Sequence, residues 1–380
     1  MSDVWTRLKY NWGSGTGHWA GAHQRWASAP GRRFPGRVHT SENLSVVYEG
    51  FPEGLTYILP YLRDQQAVVD GPVSVADTAP VTWQGIQRSV REPEGDLLVI
   101  GCSHERALRL PRARSVVLPL RLHLLIDIVA DAETMHKTVS KNERRQFANL
   151  RRKHEWTYEI GTADADFEFF YERMHLPTMA SRYGDEARSA DRDLALNALF
   201  RRGLILFVNE GGKRVAGVLC RLEDDAKTVR MRLLGVLDGD FTHYRTGAVK
   251  AVYYLTIEWA ADTGRKLIDF SGGDPFPGKG VFQFKRRFHP TVAHARDHLG
   301  GRRAYLRVVR DSPAVRDLLV ATPMFTVDDD NRIVATHFTD RSRPALAKIR
   351  MDGAGVHAAR TVDLDGFLGS TVHAGQLVGR

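Results

Sequence analysis

Cysteine is almost absent from this chain. Two residues, Cys102 and Cys220, in 380 leave no disulfide framework and no thiolate set with metal-ligand spacing. Cys220 falls in the apolar run 215–222 and reads as a core residue. The 15 histidines are scattered, with no His-x-x-x-His pair on a helical segment, so no metal is expected at the site. No apolar run approaches bilayer-spanning length and the first residues hold no signal-like core, which points to a cytoplasmic protein without a membrane span. Trp5, Trp12, Trp19 and Trp26 recur every seven residues. The glycines between Gly13 and Gly17 interrupt any helix there, so a loose, tryptophan-anchored segment is expected rather than a coiled coil. Sustained heptads are missing elsewhere too. Acid is in deficit: 45 Asp and Glu oppose 54 Lys and Arg, a net charge of +9. That balance suits a polyanionic partner or an acidic substrate.

The base is clustered. Lys137, Lys141, Arg144, Arg145, Arg151, Arg152 and Lys153 are opposed within their stretch only by Glu143. A second group follows the most informative segment, Ile268 to Phe288 (IDFSGGDPFPGKGVFQFKRRF). Ile268 and Phe270 read as a short buried strand. The run Gly272, Gly273, Pro275, Pro277, Gly278 and Gly280 is loop, because glycine and proline punctuate regular structure. Alternating Val281, Phe282, Phe284 and Phe288 then carry Lys285, Arg286 and Arg287 and read as a cationic strand. Such a strand, loop and basic segment form either a cradle for an anionic or carbonyl-bearing ligand or a tight turn with a solvated tail.

Upstream, 204–209 and 215–222 are strands joined by the turn Glu210-Gly211-Gly212-Lys213. A polar turn, 223–227, leads to a third strand at 228–236. From Thr246 to Thr263 the period becomes helical through Val249, Val252, Tyr253, Ile257 and Ala260, and Gly264 sits where a C′ residue belongs. Before this meander, Ser140-Lys141-Asn142-Glu143 is a capping box whose helix should run to about Lys153. Phe167, Phe170, Tyr171 and Met174 mark a second helix, and Leu196, Leu199 and Phe200 a third. One compact α/β domain from about 136 to 300 results.

In this order the motifs resemble the peptidoglycan-bridge aminoacyltransferases (the FemAB group) and their relatives in the GNAT acyltransferase superfamily. The carriers are Ser140–Arg145, the helix end Met179-Ala180-Ser181-Arg182-Tyr183-Gly184, the hairpin Gly203–Phe207 with Val215-Ala216-Gly217, Asp269–Gly273, and Gly280–Lys285. The resemblance covers roughly 136–290. It implies an α/β (α+β) GNAT fold in two tandem units, the first degenerate: residues 1–135, then a catalytic unit 136–300, with 301–380 returning to the first. Strand-like runs at 44–49, 55–59, 97–101 and 120–129 would serve the first unit. Those at 304–309, 332–336 and 355–362 would complete it.

Members of the superfamily that use acetyl-CoA seat its pyrophosphate on amides at a helix N-terminus. The equivalent stretch, Phe241–Ala248, holds Arg245 and Gly247 as donor-binding candidates, but the spacing disfavours CoA. Relatives without that loop take the acyl group from aminoacyl-tRNA, which implies no cofactor and a nucleic-acid partner. Lys141, Arg144, Arg145, Arg151, Arg152 and Lys153 would then meet its phosphates, with Arg286 and Arg287. Phe282, Phe284 and Tyr183 are stacking candidates for its 3′ end. On this resemblance an amine of a small-molecule acceptor attacks the ester carbonyl to form an amide. Lys285 would stabilise the oxyanion or hold a donor phosphate, Asp274 would bind the ammonium or take its proton, and Asp269, at the end of a buried strand, would either orient its neighbours or cap a helix. Arg182 and Tyr183 would face the acceptor, and antibiotic biosynthesis is one setting in which relatives act. The rival readings are an acyl-CoA-dependent N-acetyltransferase and a non-catalytic RNA-binding module of the same fold.

Overall fold

The computed structural model describes residues 3–29, 31–183, 190–223, 225–346 and 349–369. Gly184 and Asp224, both named above, lie outside these residues, and so does the side chain of Tyr183. The strands in chain order are β1 (Arg33–Thr40), β2 (Ser45–Gly50), β3 (Ser74–Thr82), β4 (Leu97–Ser103), β5 (Ser115–Pro119) and β6 (Leu122–Asp127). Then come β7 (Thr157–Gly161), β8 (Gly203–Glu210), β9 (Lys213–Leu222), β10 (Thr228–Val236), β11 (Leu267–Gly273) and β12 (Thr291–His294). The last are β13 (Arg302–Val308), β14 (Met324–Val327), β15 (Ile333–Thr339) and β16 (Val356–Asp363).

The chain divides into two compact units. One holds Met1–Gly13, His123–Ser271 and Lys285–Thr291; the other holds Ser14–Leu122, Gly272–Phe284 and Val292–Arg380. The glycine–proline loop therefore packs with the second unit, not with the strand it follows.

In the first unit the strands lie in the order β6-β11-β10-β9-β8-β7. β8 to β10 are an antiparallel meander, as the turn residues dictate, and β7 pairs antiparallel with β8. β10 and β11 are parallel and are joined by the helix Ala248–Asp262. That helix is apolar nearly all round, so apart from Lys250 it is buried from Ala248 to Ala260 rather than amphipathic. Gly247, at φ 94°, starts it in the left-handed region. Across the meander run the helix Asp164–Phe170, a π turn at Tyr171–His175 and the helix Leu176–Tyr183.

The second unit is also mixed. Its larger sheet has the order β3-β1-β2-β4-β13-β5, with β2 and β4 parallel and β13 antiparallel to both β4 and β5. A smaller sheet has the order β14-β15-β16.

Three expectations fail here. Residues 55–59 are helical, within Pro52–Tyr57 and Leu59–Asp70, because Pro52 at the first helical position sets the entry. The segment after the glycine loop is a helix, Gly280–Lys285, followed by a 3₁₀ turn at Arg286–Phe288. The N-terminus is two helices, Asp3–Ser14 and His18–Ala27, with Gly17 at φ 58° breaking them.

Candidate active site

β10 and β11 pair through only three registers, Thr228↔Leu267, Val229↔Ile268 and Arg230↔Asp269. Past these registers Ser271 Oγ bonds the Met231 carbonyl. Ser271 is at φ 62°, an uncommon conformation for serine, where the strand turns away. β10 bulges against β9 between Met231 and Leu233 and runs on to Val236.

At this pivot a row of charged and polar side chains crosses neighbouring strands. Asp269 is fully buried. Its Oδ2 lies 2.8 Å from His123 Nδ1 and 3.3 Å from Arg230 Nε, and its Oδ1 accepts the Ser271 amide at 2.8 Å. Burial alone would raise its pKa, but the His123 bond and charge, Arg230 and the Ser271 amide outweigh it and hold the carboxyl at about 2. Arg230 Nε also reaches Glu223 Oε1 at 3.3 Å. Asp269 is thus tied to His123, Arg230 and the Ser271 amide at once. His123 carried no signal in the sequence beyond being the one polar residue in the run Leu122–Ile126.

Lys285 ends the helix Gly280–Lys285, and its Nζ donates to the Phe270 carbonyl at 2.6 Å. With the side chain 7% exposed, the ammonium is held beside the first residue past the β10–β11 ladder. A buried, directed cation at a strand opening can meet charge that develops on a carbonyl oxygen.

The edge of β10 beyond the ladder is occupied. Thr178 Oγ1 accepts the Val236 amide at 2.8 Å and donates back to the Val236 carbonyl at 3.3 Å. His175 Nδ1 donates to the Leu234 carbonyl at 3.0 Å. Burial keeps the His175 pKa below the ordinary imidazole value, so the ring is neutral at pH 7. Gly235 permits this approach: a Cβ there would stand 2.5 Å from the backbone carbon of Met174.

Between β10 and the Ala248–Asp262 helix, the stretch compared above with a pyrophosphate loop is a second short helix, Phe241–Thr246. Arg245 lies in its last turn, exposed, 3.5 Å from Thr242 Oγ1. The Gly247 amide bonds back to the Tyr244 carbonyl at 3.2 Å. The carbonyl end of one helix thus meets the amide end of the next, which works against an anion there.

The basic helix Lys141–His154 is half capped. Ser140 Oγ accepts the Glu143 amide at 3.3 Å. The Glu143 carboxylate does not return to Ser140 but takes Lys250 Nζ at 2.7 Å and Arg287 Nη1 at 3.6 Å. Lys141, Arg145, Arg152 and Lys153 are exposed, Arg144 and Arg286 half-buried. Arg151 points inward, to Glu258 Oε1 at 2.6 Å.

Of the remaining candidates, Arg182 is exposed, its guanidinium 5.3 Å from the Tyr244 ring centroid. Asp274, Phe282 and Phe284 belong to the second unit. Asp274 is held by Arg121 at 3.2 Å and Lys279 at 2.5 Å, so binding an ammonium would need one of them to let go. Phe282 is a core residue, 4% exposed and edge-on to Phe325, which removes it as a stacking platform. Phe284 is half-buried. Also in that unit, donor atoms of His23, Glu53 and His298 lie within 4.8 Å of one another. Arg302 already bonds Glu53 and approaches His23 Nε2 at 3.4 Å, so a cation is built into that group and the set does not fit a metal ion.

Residues 137–286 match the family model described as an acetyltransferase (GNAT) domain. This segment is a GNAT acyltransferase domain. The mixed α/β sheet around β10 and β11 is its fold. No curated protein matches the chain. Among solved structures, L-PGS from Bacillus licheniformis is similar at 12% identity and TM-score 0.36, covering 83% of this chain and 94% of that one. FemX is similar at 9% identity and TM-score 0.37, with 70% and 82% covered. An aminoglycoside acetyltransferase from an uncultured soil metagenomic sample, in complex with sisomicin, reaches 16% identity and TM-score 0.28, with 37% and 90% covered. At these values the likenesses say nothing of this chain's substrate. Among the described residues no helix is long and apolar enough to cross a membrane.

Proposed function

We propose that the GNAT domain transfers an aminoacyl group from aminoacyl-tRNA to an amine nitrogen of a small molecule. The amine nitrogen bonds to the ester carbonyl carbon, the bond to the ribose oxygen breaks, and the nitrogen's proton passes to that oxygen. The Lys285 ammonium, anchored on the Phe270 carbonyl, stabilises the oxyanion between these events. Asp269, with His123 and Arg230, keeps the end of β11 in place for it.

The observation that carries the choice of donor is the filled edge of β10. A pantetheine-like donor with its own amides would be held by adding to an unpaired strand edge. Here Thr178 and His175 have taken the Val236 and Leu234 groups that such a donor needs. The short helix Phe241–Thr246 fills the place of a pyrophosphate loop. A donor carried by RNA needs neither. It needs cations for its phosphates, and the exposed Lys141, Arg145, Arg152 and Lys153 on one helix supply them. A small soluble acceptor, as in natural-product assembly, fits a chain without a membrane-spanning helix among its described residues.

The test supplies aminoacylated total tRNA and a panel of primary amines and looks for amide products by mass spectrometry. Amides that vanish when the donor is first digested with ribonuclease are expected. Acetylated amines formed from acetyl-CoA at a comparable rate would refute the proposal.

A further inference from the structure

We infer that Phe241 is a stacking platform for the unpaired 3′-terminal bases of the aminoacylated RNA. The inference deepens the reading above and rests on it. Phe241 is 65% exposed, so its ring does little for the core. A single exposed phenylalanine is ordinary; this one continues a ladder. Its ring stacks on Tyr244 at 5.5 Å and 24°. Arg182, from the helix Leu176–Tyr183, lies 5.3 Å from the far member's centroid. Two segments distant in sequence thus meet in three flat groups, the kind of surface that unstacked bases add to.

Its place fits that occupant. The ladder lies just past the C-terminal end of β10, where open α/β sheets bind ligands. From Arg230, at the pivot, to Val236, at the strand's end, six residue steps cover about 20 Å. A few unpaired nucleotides bridge that distance, with the ester at Lys285 and the bases at Phe241. The local charge fits too. Arg182, beside Tyr244, is exposed, and so is Arg245 on the same short helix as the rings. Of the carboxylates on the turn into the helix Phe241–Thr246, Asp240 takes the Thr242 amide at 2.7 Å and Asp238 takes Arg173 at 2.7 Å. The sequence pointed instead to Phe282, Phe284 and Tyr183; Phe282 is packed in the core against Phe325, Phe284 is half-buried, and the Tyr183 side chain lies outside the described residues.

The experiment measures affinity of the full chain for an acceptor-stem minihelix ending in unpaired CCA and for the same minihelix without that end. Wild type, Phe241→Ala and Phe241→Trp are compared, with melting temperatures alongside. Phe241→Ala should weaken binding of the CCA-ended RNA about 5- to 100-fold, leave the shortened RNA unchanged and leave the melting temperature in place. Phe241→Trp should restore binding. A Phe241→Ala variant that keeps the wild-type preference for CCA overturns the platform and leaves the donor reading standing. Wild type that binds both RNAs alike overturns both. Wild type that is dimeric, with a monomeric Phe241→Ala, assigns the ring to a second copy of the chain and overturns the platform.

Discussion

Replacing Asp269 by Asn removes one charge from the pivot without changing its shape. In the native fold the carboxylate binds His123 at 2.8 Å, Arg230 at 3.3 Å and the Ser271 amide at 2.8 Å, all out of water. A group that ionises at about 2 in the fold against an ordinary 3.8 contributes about 2.5 kcal/mol at neutral pH. The depressed value means this stability is fully present above pH 4 and is lost as pH falls through about 2. Asp269→Asn should therefore lose about 2.5 kcal/mol at pH 7, and more if Arg230 is poorly served by Glu223 alone. It should also lose part of the wild type's acid slope between pH 4 and 2. Urea unfolding followed by tryptophan fluorescence reads both, since Trp156 and Trp259 are buried in the first unit. An Asn variant as stable as wild type at pH 7, or one with an unchanged acid slope, would refute the reasoning.

Lys285→Met should lower turnover about 10²- to 10³-fold by removing the oxyanion's partner. It should also lower stability by about 1–3 kcal/mol, because the Phe270 carbonyl loses its donor; turnover near wild type would discard the role. Glu143→Gln releases Lys250 and Arg287 from their carboxylate. RNA should then bind severalfold tighter with a steeper salt dependence, and an unchanged slope in filter binding would contradict this. Thr178→Val leaves the Val236 amide and carbonyl without their hydroxyl and should cost about 1–3 kcal/mol in thermal unfolding. No change in melting temperature would mean that the β10 edge is not held by Thr178.

The meander and its crossover helix were legible because turn residues and a change of period mark them: Gly211 and Gly212 between β8 and β9, and Val249 to Ala260 after β10. Misreadings came where burial and apolarity part company. Across the helix after the glycine loop and the 3₁₀ turn that follows it, the buried positions are Phe282, Lys285 and Phe288, a helical spacing whose middle member is a lysine. A hydrophobic pattern misses that member, so Phe282 and Phe284 look like strand alternation. β3 was missed for the opposite reason: at the edge of its sheet, Ser74–Thr82 is mostly exposed and polar. At the candidate site, Lys285 and Asp269 stood out through their motifs. His123, Thr178 and His175 did not, because their role depends on neighbours far away in sequence. The capping box was half right, since Glu143 found stronger partners in Lys250 and Arg287 than the Ser140 amide.

The claim that all of this bears on is that the acyl donor arrives on RNA and not on CoA. One vessel holding the full chain, aminoacylated total tRNA and acetyl-CoA at equal concentration, and a pool of primary amines tests it directly. Products carrying aminoacyl groups, with acetyl products at background, are the predicted result. Acetylated products in excess would contradict it, whatever the RNA affinity of the protein.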